Sequence, residues 1–157
     1  MAKLKCTCGN GMSNSNDPNE YTISVYKKTD VENTLKGEPQ IRLIDFDTLD
    51  WDYEYWYCPK CGRIHKVENI PCGKVVERLM KNTDNASKET RDPAWEEYYV
   101  FSDVEMFDAE EEDRTLADFV HELGESHLYF VNDSDGEIYK ENANGEYNLV
   151  YRKEKTH

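Results

Sequence analysis

Alternation of apolar and polar positions predicts most of the secondary structure. From Tyr21 to Tyr26, Ile23 and Val25 face opposite Thr22 and Ser24, the two-residue period of a strand. Ile41–Phe46 and Trp51–Tyr57 read as two further strands. In the second, Trp51, Tyr53, Tyr55 and Tyr57 share one face, and Asp52, Glu54 and Trp56 share the other. Ile64–Glu68 is the next strand. Residues 74–81, KVVERLMK, fit a strand or one to two helical turns, and periodicity does not separate them. Glu97–Phe101 is a strand candidate. Over residues 114–123 the period changes: Leu116, Phe119, Val120 and Leu123 fall on one helical face, with Thr115 or Asp113 as cap and Gly124 as stop. Three strands close the chain, His127–Val131, Glu137–Lys140 and Tyr147–Arg152. They are joined by Asp133-Ser134-Asp135-Gly136 and Asn142-Ala143-Asn144-Gly145, both hairpin signals.

Residues 9–20 are rich in Gly, Ser and Asn and form a loop, and residues 82–93 form a polar loop or linker of about a dozen residues. The expected organisation is a clipped, β-rich part over residues 1–81, the connection 82–93, and an acidic part over residues 94–157. The expected fold class is α+β: mainly antiparallel strands, with one helix and a C-terminal three-stranded meander. No internal repeat is present.

At 157 residues the chain suits one compact domain, or one domain with a small metal-stapled appendage. Aromatic residues make up 12%, with 11 Tyr and 3 Trp, which separates it from acidic disordered chains. No stretch of 18 apolar residues occurs, and no apolar segment follows Lys3 and Lys5. The expectation is therefore a cytoplasmic protein with neither membrane span nor secretory leader.

In such a compartment an odd number of cysteines favours metal ligands or free thiols over disulfides. There are five, Cys6, Cys8, Cys58, Cys61 and Cys72. Four form close pairs, each followed by glycine: Cys6-Thr7-Cys8-Gly9 and Cys58-Pro59-Lys60-Cys61-Gly62. A tight turn turns both sulfurs of a pair to one side, and glycine accepts the positive φ on leaving it. Two such turns supply four thiolates, the donor set of a closed, structural Zn2+ site. Here the chain resembles the zinc ribbon class, in which two knuckles on short hairpins hold one ion. Its first knuckle is Cys-x-Cys, and 49 residues separate the knuckles, against roughly 15–20 in a compact four-cysteine ribbon. The alternative for the four cysteines is redox-active or unoccupied thiols. Cys72 and His65 are spare ligand candidates; the simpler readings are a buried thiol and an ordinary strand residue.

The net charge is -14, unevenly distributed. Residues 1–74 carry 10 basic and 11 acidic side chains, and residues 75–157 carry 9 and 22. The densest run holds Asp103, Glu105, Asp108, Glu110, Glu111, Glu112 and Asp113, with Tyr98, Tyr99, Phe101, Met106 and Phe107 nearby. It reads as a solvated loop and helix start, or as a docking surface for a basic partner with aromatic anchors. Direct binding of nucleic acid by the whole surface is disfavoured, because phosphates are repelled.

Catalytic signatures are sparse. His121-Glu122-Leu123-Gly124-Glu125 places Glu where a zinc protease helix needs its second His. Asp133-Ser134-Asp135-Gly136 lacks the twelfth-position Glu of a calcium loop, which is Asn142. There is no nucleophile elbow and no phosphate-binding glycine loop. The leading expectation is a non-enzymatic acidic interaction protein that inhibits or modulates a basic, nucleic-acid-binding protein. In size and charge it resembles anti-CRISPR and other DNA-mimic inhibitors. The alternative is a ribbon contacting nucleic acid or the transcription and replication machinery through Lys3, Lys5, Lys60, Arg63 and Lys66, with Trp56 and Tyr57 stacking.

Overall fold

The computed structural model describes residues 3–13, 20–47, 53–68, 74–82 and 88–154. In chain order the elements are β1 (Lys3–Lys5), β2 (Gly11–Ser13), β3 (Thr22–Lys27), α1 (Lys28–Gly37), α2 (Leu43–Asp47), β4 (Tyr53–Tyr57), β5 (Ile64–Glu68) and β6 (Lys74–Lys81). They continue with β7 (Lys88–Glu89), β8 (Glu96–Ser102), α3 (Asp103–Glu111), α4 (Leu116–Leu123), β9 (Leu128–Asn132), β10 (Glu137–Glu141) and β11 (Tyr147–Lys153). Eight strands pair antiparallel in the order β10-β9-β8-β3-β4-β5-β6-β11, and β11 pairs back onto β10. The sheet is thus a closed barrel with only short helices around it. This corrects the α+β, ribbon-like expectation. The C-terminal meander exists, but as part of the barrel wall. Strands before residue 82 and after residue 93 share that wall, through β3 with β8 and β6 with β11.

Side chains alternate between the lumen and the outside. Ile23, Val25, Tyr55, Tyr57, Tyr98 and Val100 face inward. Tyr26, Trp56, Tyr99 and Phe101, their neighbours in sequence, are buried against elements on the outside. Two bulges preserve this sorting. Val67 and Lys66 of β5 oppose Val75 and Glu77 of β6, leaving Val76 as an extra residue. Likewise Tyr139 and Ile138 of β10 oppose Leu149 and Tyr151 of β11, leaving Val150 over. One extra residue reverses the facing of all that follows. Val75 and Leu149 therefore pack outside, while Glu77 and Tyr151 turn inward. Asn82 holds the second bulge: its backbone N–H donates to the carbonyl of Val150 at 2.8 Å, and its side-chain amide to that of Leu149 at 3.0 Å.

The packed apolar clusters lie outside the barrel, in three places. Helices α1 to α4 cover β3 and β8 with Val31, Leu43, Phe46, Met106, Leu116 and Phe119. The β1–β2 hairpin covers β4 and β5 with Cys6 and Met12 on Trp56 and Val67. Trp95 closes the third, stacked on Tyr139 at 4.3 Å and edge-on to Tyr147 at 5.7 Å.

Two helices occupy segments expected otherwise. Ile41–Phe46 was expected as a strand, yet Leu43–Asp47 is helical. Leu43 and Phe46, three apart, are both buried, and Ile44 is 41% exposed, the pattern of a helical face. Residue 42 makes only an isolated bridge to Thr115. The acidic run forms α3, started by a capping box. The Ser102 hydroxyl accepts from the Glu105 N–H at 3.1 Å, and the Glu105 carboxylate accepts from the Ser102 N–H at 2.9 Å. Helix α1 packs Val31 and Leu35, four apart, into the same cluster. Residues 74–81 resolve as strand, and Lys88–Glu89 pairs with β11, within the expected loop. Helix α4 is capped by Thr115, as read from the sequence. Gly124 ends it at φ -57, so close packing accounts for the glycine: a Cβ there would clash with the Val120 carbonyl oxygen and lie 3.2 Å from the Tyr99 ring. Among the described residues no helix is long and apolar enough to cross a membrane.

Replacing Asn82 with Ala removes the side-chain bond that holds the β11 bulge. Urea unfolding should show a loss of about 1 kcal/mol with an unchanged m-value; no loss would mean that the bulge holds without it.

Candidate metal centre

The two knuckles meet although about fifty residues separate them. In the first, Cys6 donates its N–H to the carbonyl of Asn10 and accepts at its own carbonyl from Gly9, both at 2.9 Å. Gly9 has φ +96. In the second, the Cys58 N–H donates to the Arg63 carbonyl at 2.9 Å, and the Gly62 N–H to the Cys58 carbonyl at 2.8 Å. Gly62 has φ +81, which glycine adopts without strain. Each loop curls around its sulfurs because its backbone bonds close on themselves.

The hairpin then lies on the barrel. Cys6 and Cys58 are buried, Cys8 and Cys61 half-buried, and Met12 and Trp56 pack beneath them. The four sulfurs all lie within 4.8 Å of one another. Cys6 Sγ stands 3.5 Å from Cys61 Sγ, and Cys8 Sγ 3.7 Å from Cys58 Sγ. A tetrahedron with metal–sulfur bonds of about 2.3 Å has edges of about 3.8 Å. The four thiols are free, and their spacing is that of a group able to hold a metal ion.

The surroundings favour thiolates on the second knuckle. At Cys61, burial acts to raise the pKa. It is outweighed by the Arg63 N–H and guanidinium and by the neighbouring thiols, which bring the pKa down to about 6. At Cys58, burial is likewise overcome, by the N–H groups of Cys61 and Lys60 and the Asn10 amide, 3.6 Å away. Cys6 goes the other way. Burial and its sulfur neighbours push it up to about 12, against the N–H of Cys8. Metal binding to this group therefore has to release a proton from Cys6.

His65 is not one of the cluster. It lies on β5, fully buried, opposite Trp56 on one side and Arg78 on the other. Neither ring nitrogen finds a partner among the described residues. Cys72 lies outside the described residues.

The acidic run divides by role. Glu105 caps α3 and stands 2.7 Å from His127 Nε2. Burial acts to raise its pKa, but the Ser102 N–H and His127 hold it below the ordinary carboxylate value. Asp113 meets Arg42 at 3.3 Å. Asp103 and Glu110 are half-buried, and Asp108, Glu111 and Glu112 are exposed. The basic residues near the knuckles disperse. Arg63 lies 3.5 Å from Glu154, Lys66 faces the lumen, and Lys5 and Lys60 are exposed. Trp56 is 1% exposed and Tyr57 lines the lumen. The lumen itself escaped the sequence reading. Its available signal was the run of alternate tyrosines at 53, 55 and 57.

Replacing Cys6 or Cys58 with Ser breaks the cluster. Each variant should lose about 3 kcal/mol, or about 6–12 °C in Tm, and a chelator should destabilise the native chain but not the variants. Equal chelator sensitivity would disprove a shared metal site.

A second expectation concerns His65. Burial, then the charges of Arg78 and Arg63, lower its pKa below the ordinary value. Below about pH 6.5 the unfolded chain takes up a proton that the folded chain refuses, so this group's stability contribution falls as pH drops towards its folded pKa. His65→Phe should flatten that part of the profile. The comparison is urea unfolding of both chains across pH 7 to 5, where metal-linked losses are common to both. Parallel profiles would mean that His65 titrates normally.

Comparison with known proteins yields one family. No curated protein and no solved structure matches the chain. A family model described as "Domain of unknown function (DUF8617)" matches residues 2–88, which contain both knuckles and the strands through β6. With more than half of its length matched, the chain belongs to this family of unknown function.

Proposed function

We propose that the protein is a non-enzymatic interaction protein, in which a structural Zn2+ ion clips the N-terminal hairpin to the barrel and an acidic helix engages a basic partner. Zinc is the metal that suits four thiolates in a tetrahedron, and four such ligands leave no open coordination position for chemistry. This supports a stapling role for the ion.

The observation that carries the partner reading is the outer face of α3. Met106 and Ala109 are buried, so the helix turns Val104, Asp108 and Glu111 outward at spacings of four and three residues, with Glu112 beside them. Val104 is 44% exposed and gives this negative face an apolar contact. Such a face steers basic surfaces towards it and binds them in a salt-dependent way. A nucleic-acid-binding protein presents the matching chemistry, because its own site is built to neutralise phosphates. The chain would then block or modulate that site.

Two measurements test the proposal. Elemental analysis of protein purified without added metal should give about one zinc per chain. The native chain should retain a basic protein from its source cell that elutes at moderate salt, and the combined variant Asp108→Lys, Glu111→Lys and Glu112→Lys should lose it. Another metal at stoichiometric occupancy would overturn the zinc assignment. Retention unaffected by charge reversal would overturn the role of α3.

A further inference from the structure

Among the described residues, no Trp or Phe lines the interior of this barrel. Eight-stranded barrels have a lumen just wide enough to be packed by side chains or to hold one small ligand. Among the described residues, Trp56, Trp95, Phe101 and Phe130 all lie in clusters outside the wall. The lumen is left as a cavity of about 420 Å³, lined by residues from all eight strands. That volume falls in the range of small-molecule sites, about 300–1,000 Å³.

The lining states what the occupant is like. Tyr55, Tyr57, Tyr98, Tyr129 and Tyr151 contribute their rings, with Val, Ile and Leu side chains between them. Aromatic walls favour a flat aromatic guest, by offset stacking and edge-to-face contact. The Tyr98 hydroxyl donates to Glu96 at 3.0 Å. Those of Tyr57, Tyr129 and Tyr151 have no hydrogen-bond partner among the described residues and leave donors and acceptors for a polar group. Burial, then the neighbouring phenols Tyr129 and Tyr57, push Tyr151 up to about 12, so it remains a neutral donor at physiological pH.

Charge selects further. One end of the lumen carries Lys66, Glu77, Asp133 and Lys153, two of each sign. Lys66 and Glu77 are cross-strand neighbours, and Lys153 Nζ lies 3.8 Å from Glu77. The Lys153 stem packs over Gly136, in the turn that bears Asp133. These groups compensate one another and reward neither an anion nor a cation. Towards the opposite end, Lys140 places its ammonium 4.3 Å over the Tyr129 ring and donates to the Ser126 carbonyl. The cation over the Tyr129 ring is therefore supplied by the protein itself. An anionic guest also meets the field of a protein with net charge -14.

From this geometry we infer that the barrel lumen is a binding site for a neutral, planar aromatic small molecule carrying a hydrogen-bonding group. The site is separate from the cysteine cluster and from α3, and it stands or falls independently of the function proposed above.

The test uses the full chain as purified and two fluorescent probes that differ in charge. N-phenyl-1-naphthylamine is neutral and carries an N–H; 8-anilinonaphthalene-1-sulfonate adds a sulfonate to the same ring pair. The neutral probe should bind saturably at one site, with a blue shift, and at least tenfold more tightly than the sulfonate. Val100→Trp on β8 and Val131→Trp on β9 each put an indole into the lumen and should weaken the neutral probe at least tenfold. Ile44→Trp, on the exposed face of α2, should not change it. Circular dichroism identifies the variants that keep the native fold, and Ile138→Phe is a milder filling should both tryptophans disrupt it. Absence of saturable binding by the native chain would overturn the inference, as would undiminished binding by a folded lumen variant. Equal or tighter binding of the sulfonate would overturn the neutral class.

Discussion

Closure of the sheet is the constraint on which everything else in this protein depends. An antiparallel sheet with open edges leaves rows of unpaired N–H and C=O groups, and the return of β11 onto β10 removes them. Closure, however, joins strands whose side-chain phases do not match. The bulges at Val76 and Val150 absorb that mismatch by letting β6 and β11 change which face is inside part-way along. Without them, Val75 and Glu77, or Leu149 and Tyr151, would point the same way. A charged or aromatic residue would then leave the lumen, or an apolar one would leave the outer clusters.

The sorting that follows from closure explains why this barrel is packed on its outside. Three apolar patches on the outer wall each need a cover, and each has its own: four short helices, a cysteine hairpin and the segment around Trp95. None of these covers is large. The hairpin of β1 and β2 has three residues per strand, too few to hold itself together without a partner. Its contacts with Trp56 and Val67 and the four-sulfur group beside them are one device, because the sulfurs can meet only when the hairpin lies on β4 and β5. The second knuckle is the connection between those two strands. An ion at this group would therefore link a loop of the barrel itself to the chain that precedes it, at the cost of one proton from Cys6.

The acidic half of the chain shows how a single run of residues divides between structure and surface. Glu105 is taken up by the capping box and His127, and Asp113 by Arg42, while Asp108, Glu111 and Glu112 remain in solvent. The signals for this helix were local: Ser102 three residues before Glu105, and Met106 three before Ala109. The density of charge obscured them, since only Met106 and Ala109 are buried within it. In α2 the error had the opposite cause. Ile41, Leu43, Ile44 and Phe46 satisfy both a period of two and a spacing of three, and burial of Leu43 with Phe46 against the outer face of the barrel decides for the helix.

What the sequence determined by itself is what short stretches of chain can specify. The two Cys–Gly knuckles are set by ligand chemistry and by the backbone freedom of glycine; the C-terminal hairpins are set by their turns, and α4 by its cap and apolar face. Alternation in Tyr53–Tyr57 likewise separated Tyr55 and Tyr57 from Trp56. Which of those faces is the interior was decided only by tertiary structure. The deciding pairs, β3 with β8 and β6 with β11, join residues some seventy positions apart. Antiparallel pairing is written in backbone hydrogen bonds that every residue type except proline can make. Such bonds leave no mark in the sequence, so neither the closed barrel nor its tyrosine-lined lumen could be read before the strands were seen together.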